Sequence, residues 1–172
     1  MSSNLADMKC IDLKNEQSIM EETIQQVIHV TKNECGFGVI ELMQPKYIDC
    51  CYESKELSIM FHVEKWELNP QGSMHGGLVS AAFDNTFGML THYLADDCFI
   101  TTVDLATRYL KPIPEDTDLL IKVKACSSGR TLVSLTGEAY IIGEDILAAT
   151  ASSTFMILRH KETQLTSKVN NK

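Results

Sequence analysis

The chain has 172 residues, of which 44% are apolar and 22% are charged, which fits one globular domain with a terminal extension. Its formal net charge of −8 disfavours broad binding to nucleic acid or to an acidic membrane surface. No apolar run is long enough to span a membrane, and the first residues lack the layout of a secretory signal.

The cysteines have spacings typical neither of a zinc site nor of a disulfide framework. Two of them are adjacent, which is a poor arrangement for separate disulfides. We therefore expect reduced thiols in a cytoplasmic protein that binds no metal. The cysteines are Cys10, Cys35, Cys50, Cys51, Cys98 and Cys126.

The amino-terminal segment, residues 1–35, predicts a single helix. Residues 1 to about 15 show no periodicity and are predicted to be loose. Ser18 and Glu21 have the spacing of a capping box, and Gly36 ends the pattern that follows. An amphipathic helix of about four turns is therefore expected. Its periodic positions are Met20, Ile24, Val27, Ile28 and Thr31.

The rest of the chain alternates β-forming segments with turn residues, apart from one long helix predicted from about Met74 to Leu94. Six strands and this helix predict an α+β domain over residues 36–160, in which an antiparallel sheet wraps around the helix. Residues 161–172 are predicted to be a polar, frayed tail. The strand-like segments are 37–44, 47–66, 98–110, 118–128, 131–142 and 146–158.

The long helix is apolar on almost every side, yet it contains Asp84 and begins on Gly76 and Gly77. A buried carboxylate needs a hydrogen-bond partner or a cavity, so Asp84 is either structural or part of a site. Amides at a helix start lack intrahelical acceptors and favour negative charge, which suits the oxyanion of an attacked carbonyl. The alternative for the glycines is a tight strand-to-helix turn.

A distance argument links these two features. Gly76 and Asp84 are about 12 Å apart along one helix axis, whereas a catalytic group must lie within about 3 Å of the reacting atom. They cannot act on one carbonyl within one chain. Two such helices packed antiparallel about a two-fold axis would bring Asp84 of one copy to Gly76 of the other. A site made of both would therefore lie between subunits.

Several motifs together resemble a known family. "NPQGSMHGG" is followed by Asp84, then by "TTVDLATRYLKP" and "SGRTLVS". Over about residues 36–158 this is similar to the hot-dog-fold acyl-CoA thioesterases of the PaaI type. The resemblance implies hydrolysis of an acyl-CoA to a free acid and CoA without a cofactor, in a homodimer with composite sites that commonly pairs into a tetramer.

The resemblance also implies catalytic roles, position by position. Asp84 matches the carboxylate that acts as general base for water or as nucleophile, and Gly76 matches the carbonyl-polarising amide. Asn69 and His75 match the residues that shape the turn and help to place the thioester or water. Thr102 matches the hydroxyl that assists near the attacking water.

CoA contacts are implied for two segments, 109–114 and 127–131. They coincide with a cationic cluster between Arg108 and Arg130 that follows a stretch without Lys or Arg, from Trp66 to Thr107. Solubility of a strand face is the alternative role for these cations. The predicted CoA-binding residues are Arg108, Tyr109, Lys111, Pro112, Ser128, Gly129 and Arg130. The predicted acyl pocket comprises Phe83, Phe87 and Leu90.

Two other functions stay open at this level. A non-catalytic acyl-CoA-binding hot-dog module is the main alternative, although the presence of Asp84 and Asn69 disfavours it. A hot-dog dehydratase fits this sequence less well, because the catalytic pattern of those enzymes pairs a histidine with an acid at a different position. The acyl group of the substrate stays open among aryl, medium-chain and long-chain groups.

Overall fold

The computed structural model describes the backbone of residues 3–33, 38–96 and 98–162, and the side chains of residues 13–33, 38–96 and 98–159. The helices are α1 (Ser3–Asn33), α2 (Val39–Met43) and α3 (Gly76–Leu94), with one 3₁₀ turn at Lys65–Glu67. The strands are β1 (Lys46–Cys51), β2 (Glu56–His62), β3 (Cys98–Tyr109), β4 (Asp118–Ser128), β5 (Leu132–Ile141) and β6 (Ile146–Glu162).

The six strands form one antiparallel sheet in the order β1-β2-β4-β5-β6-β3. Burial alternates along β4 and β5, as expected for a sheet with one face on the core and one toward solvent. The core face packs against α3, which contacts every strand from β2 to β6. The predicted α+β architecture with a long central helix is confirmed.

Aromatic side chains of α3 fill the space between the helix and the sheet. Phe83 and Phe87 stack with ring centroids 5.9 Å apart, and both are fully buried. Gly137 of β5 makes room for them, since a Cβ at that position would lie 3.1 Å from each ring. This close approach requires glycine in the middle of β5.

The predicted amino-terminal helix exists but begins much earlier than expected. α1 starts at Ser3, so the prediction of a loose segment up to about residue 15 is wrong. Ser18 lies within α1 and donates to the Lys14 carbonyl at 3.1 Å, so the capping-box prediction is also wrong. Residues 3–17 contain no glycine or proline and are rich in helix formers, which extends the helix without an apolar period. Gly36 and residues 163–172 lie outside the described residues.

The segment 37–44, predicted as a strand, contains the short helix α2 instead. Gly38 before it has a φ of 106°, and Gln44 after it adopts the left-handed conformation, followed by Pro45. Both neighbours are typical of helix boundaries. Apart from Lys46, both strands of the first hairpin, β1 and β2, therefore lie within the second predicted segment.

Candidate active site

Asn69 organises the turn that leads into α3. Its Oδ1 accepts hydrogen bonds from the amides of Gln71 at 2.9 Å and Ser73 at 3.3 Å, and its Nδ2 donates to the Ser73 hydroxyl at 3.0 Å. The Met74 amide then donates to the Ile113 carbonyl at 2.8 Å. The turn is thereby attached to the loop between β3 and β4, and this attachment sets the direction in which α3 begins.

His75 is the N-cap of α3. Its Nδ1 accepts from the Gly77 amide at 3.0 Å, and its carbonyl accepts from the amides of Leu78 at 2.8 Å and Val79 at 3.1 Å. Because Nδ1 is an acceptor, Nε2 is the ring nitrogen that carries a proton.

Gly76 keeps the one free donor of the first helical turn. The three following amides are occupied by His75, whereas the Gly76 amide has no partner among the described residues. Its nitrogen lies at the positive end of the helix dipole. A carbonyl oxygen that gains negative charge would be stabilised at this position.

Tyr109 lies directly against Gly76. A Cβ at position 76 would be 3.2 Å from Cζ of Tyr109, which is tighter than ordinary contacts and explains the need for glycine here. The two residues also line an open cavity of about 410 Å³ together with Asn69, Lys111 and Pro112. The structure therefore brings part of the predicted catalytic turn and part of the first predicted CoA segment into one cavity.

Asp84 is half-buried on α3 and has a defined partner on the sheet. The Thr102 hydroxyl of β3 donates to Asp84 Oδ1 at 2.9 Å. That contact leaves the second carboxylate oxygen available for a water molecule or a substrate. The structure thus brings two of the predicted catalytic residues, Asp84 and Thr102, into direct contact, and their roles in a reaction stay predictions.

Gly76 and Asp84 lie on one continuous helix, so about 12 Å of axis separates them. The two predicted CoA segments are separated in the same way. The turn after β4 lies level with Thr102, because β5 and β6 place Val133 and Phe155 in register with it. Tyr109 lies about 20 Å further along β3. One chain thus has a Gly76 end and an Asp84 end, each with its own predicted CoA segment.

Arg108 is not brought together with the other predicted site residues in one chain. Its neighbours Thr107 and Tyr109 face Ser80 of α3, so alternation turns Arg108 to the opposite face of the sheet. There it shares an open cavity of about 560 Å³ with Lys122 and Lys124. This position fits the alternative role, a solvated strand face.

The residues predicted for the acyl pocket, Phe83, Phe87 and Leu90, are fully buried in the core between α3 and the sheet. None of them lines the cavity beside Gly76. The structure therefore places them behind the helix face that carries Asp84, and their contact with an acyl group stays a prediction.

Two charged residues near the site were missed from the sequence. Arg159 of β6 donates from Nε to the Arg130 carbonyl at 3.0 Å, so the Arg159 side chain lies against the turn that carries Arg130. The alternation of side chains along β6 was the sequence signal that could have indicated Arg159. Glu67 is 1% exposed and accepts the His75 amide on its carbonyl at 2.7 Å. Burial raises the pKa of its carboxyl group. The Glu67 side chain accepts from the Glu64 amide at 2.8 Å and forms a capping box with Glu64, for which the spacing of the two residues was the sequence signal.

Comparisons with known proteins give one family match in sequence and several matches in structure. Residues 71–148 match the family model of the thioesterase superfamily. The PaaI protein of the Escherichia coli phenylacetic acid degradation operon matches with a TM-score of 0.69 at 13% identity, covering 83% of this chain and 96% of that chain. Zebra fish thioesterase superfamily member 2 matches with a TM-score of 0.71 at 20% identity, covering 80% and 97%.

A third similar structure is smu.793 of Streptococcus mutans bound to acetyl CoA, with a TM-score of 0.61 at 20% identity, covering 69% of this chain and 91% of that chain. No curated protein matches the chain in sequence. At such identities the structural likeness establishes the fold alone, which is the hot-dog fold.

The matched segment contains Gly76, Asp84 and Thr102, and it begins at residue 71, after Asn69. Over this segment the chain is similar to the thioesterase superfamily. Among the described residues, no helix combines the length and apolar character needed to cross a membrane.

Proposed function

We propose that this protein is an acyl-CoA thioesterase, which uses water to convert an acyl-CoA into a carboxylic acid and CoA without a cofactor. One observation carries the proposal: Asp84 is held by Thr102 on the face of α3, and the Gly76 amide at the start of the same helix has no partner among the described residues. The first group activates or performs an attack, and the second stabilises an oxyanion.

In the proposed reaction the Gly76 amide donates to the thioester carbonyl oxygen. As general base, Asp84 takes a proton from water while the water oxygen attacks the carbonyl carbon, and the tetrahedral intermediate then expels CoA as its thiolate. As nucleophile, Asp84 attacks the carbonyl carbon itself and displaces the CoA thiolate, and water then hydrolyses the resulting mixed anhydride to the free acid and the Asp84 carboxylate. Thr102 orients the carboxylate in both versions, through its hydrogen bond to Oδ1.

The proposed active unit is a two-fold dimer joined along β3. The separation of Gly76 from Asp84 requires a second copy, and β3 pairs only with β6 among the described strands. An antiparallel arrangement of two α3 helices would bring the Gly76 end of one copy to the Asp84 end of the other. Both predicted CoA segments then converge on one site, with Lys111 from one copy and Arg130 from the other. Pairing of two dimers into a tetramer is a further proposal from the family resemblance.

Replacing Asp84 by Asn tests the reaction directly. The amide is nearly isosteric but is neither a base nor a nucleophile, so kcat should fall by at least about 100-fold. Asp145→Asn is the matched control, since this exposed turn residue has a φ of 52°, which Asn tolerates, and it should retain full activity. Full activity of Asp84→Asn against the best substrate would refute the mechanism.

A non-catalytic acyl-CoA-binding module is the second candidate, because the cavity beside Gly76 would suit binding alone. A panel of aryl, medium-chain and long-chain acyl-CoA molecules with thiol detection separates the two functions. An enzyme releases free CoA with turnover, whereas a binding module gives saturable binding and no thiol. The same panel identifies the preferred acyl group.

A further inference from the structure

The hydroxyl of Tyr109 is directed into the first turn of α3. It donates to the Gly76 carbonyl at 3.0 Å and lies 2.7 Å from the Ser80 hydroxyl. Ser80 in turn donates to Thr107 at 3.0 Å, two residues before Tyr109 on the same strand. Although the tyrosine side chain is 55% exposed, its polar atom is thus fully engaged with the helix start.

The Gly76 carbonyl belongs to the same peptide group as the Gly77 amide, which donates to Nδ1 of His75. A hydrogen bond accepted by a peptide carbonyl makes the N–H of that peptide a stronger donor. The Tyr109 hydroxyl, the peptide between Gly76 and Gly77, and the His75 ring therefore form one polarised chain. This series of hydrogen bonds ends at the imidazole of His75, which caps the helix beside the free Gly76 amide.

We infer that Tyr109 is a positioning residue of the active site, which acts through this peptide to hold His75 and the Gly76 amide in one orientation. The inference rests on the proposed function and goes beyond it, because the family resemblance implies only a CoA contact for this position. The direction of the hydroxyl distinguishes the two roles. A CoA contact would use the exposed ring, whereas positioning uses the oxygen that faces Gly76.

Tyr109→Phe removes the oxygen and keeps the ring against Gly76. We expect kcat to fall by about five- to ten-fold, equally for acyl-CoA and for a truncated acyl thioester without the nucleotide, with little change in KM. Tyr140→Phe is the matched control, since it loses a hydroxyl that binds Glu138 at 2.7 Å on an exposed part of the sheet. A KM increase confined to acyl-CoA would instead make Tyr109 a CoA contact and overturn the inference.

A second measurement separates a failure of this inference from a failure of the proposed function. In the nuclear magnetic resonance spectrum of the protein without substrate, the Gly77 amide should shift upfield and exchange faster in Tyr109→Phe than in the wild type. This change does not require any enzyme activity. An unchanged Gly77 amide would overturn the inference even if hydrolysis of acyl-CoA is established.

A double-mutant cycle tests whether Tyr109 acts through His75. In the His75→Ala variant the peptide between Gly76 and Gly77 no longer has an imidazole to bind. The additional loss of kcat caused by Tyr109→Phe should therefore shrink to less than about two-fold. A general structural effect would instead give the same loss in both backgrounds. Independent, multiplicative losses would therefore contradict the inference.

Discussion

The two outer strands of the sheet carry the same local feature but have different surroundings. Each has a register break at one exposed apolar residue, Ile48 in β1 and Val103 in β3, which are 45% and 54% exposed. The β1 edge is covered by α1, whose Gln17 donates to the Cys50 carbonyl and accepts from the Tyr52 amide, both at 2.8 Å. No described element covers the β3 edge.

The Gln17 amide thus satisfies one carbonyl and one N–H of the β1 edge, as a neighbouring strand would. Exposed strand edges otherwise pair with further strands. In the described part of the chain, one edge of the sheet is covered and the other is open. The open edge is the one that carries Thr102 and Tyr109, which contact Asp84 and Gly76. This difference indicates where a second copy would complete the site.

The largest effect is expected from a charge on the open edge. Val103→Glu should convert the proposed dimer to monomers, because burying two such valines in a two-fold interface contributes about 3–6 kcal/mol. Activity at dilute protein should fall at least about 100-fold. Ile48→Glu, the equivalent change on the blocked edge, should leave mass and activity unchanged. Analytical ultracentrifugation and thiol release measure both, and a fully active Val103→Glu monomer would contradict the shared site.

Mixing two inactive variants tests the proposed dimer along β3 by the recovery of activity. Asp84→Asn lacks the carboxylate, and Asn69→Ala loses the hydrogen bonds that shape the turn before Gly76. After subunit exchange between equal amounts of the two variants, half of all dimers should be heterodimers. Each heterodimer has one intact site out of two, so about a quarter of the wild-type activity should return. Exchange is followed with two different mass tags. Confirmed exchange without recovered activity would refute the composite geometry.

CoA recognition should depend on the cations at the Asp84 end. Arg130→Ala should raise KM for acyl-CoA about ten-fold through loss of a charge-assisted contact, and much less for a truncated thioester without the nucleotide. Arg159→Ala should act in the same direction because its side chain holds the Arg130 carbonyl. Arg108→Ala is the control on the opposite sheet face. An equal KM change for both substrates would rule out a contact of Arg130 with the nucleotide.

The smallest effect is expected on the blocked edge. Gln17→Ala removes two hydrogen bonds to β1 and should lower the free energy of unfolding by about 1–3 kcal/mol without changing kcat. Gln26→Ala on an exposed position of the same helix should have no measurable effect. Urea unfolding of both variants checks this. Equal stabilities of the two variants would mean that Gln17 does not protect the edge.

The sequence predicted α3 and the strands β3 to β6 within a few residues of their observed bounds. Each of these elements is long, and most are separated by glycine, proline or aspartate, so local pattern and turn chemistry agree. The segment 37–44 failed because its β-forming residues are only a few positions long and Gly38 and Gln44 impose helix boundaries on them. The prediction of Ser18 as a helix cap was wrong, because residues that favour helix continue upstream of it.

By itself, the sequence determined the fold class and the helix that carries Asp84, and it predicted a site shared by two copies. These follow from spacings within one helix and from periods of two and 3.6 residues, which depend only on neighbouring positions. Only the tertiary structure decided that Thr102 meets Asp84, that Tyr109 holds Gly76, and that Arg108 faces away. Those contacts join residues far apart in the chain, and closure of the sheet around α3 sets their register. No local pattern contains that register.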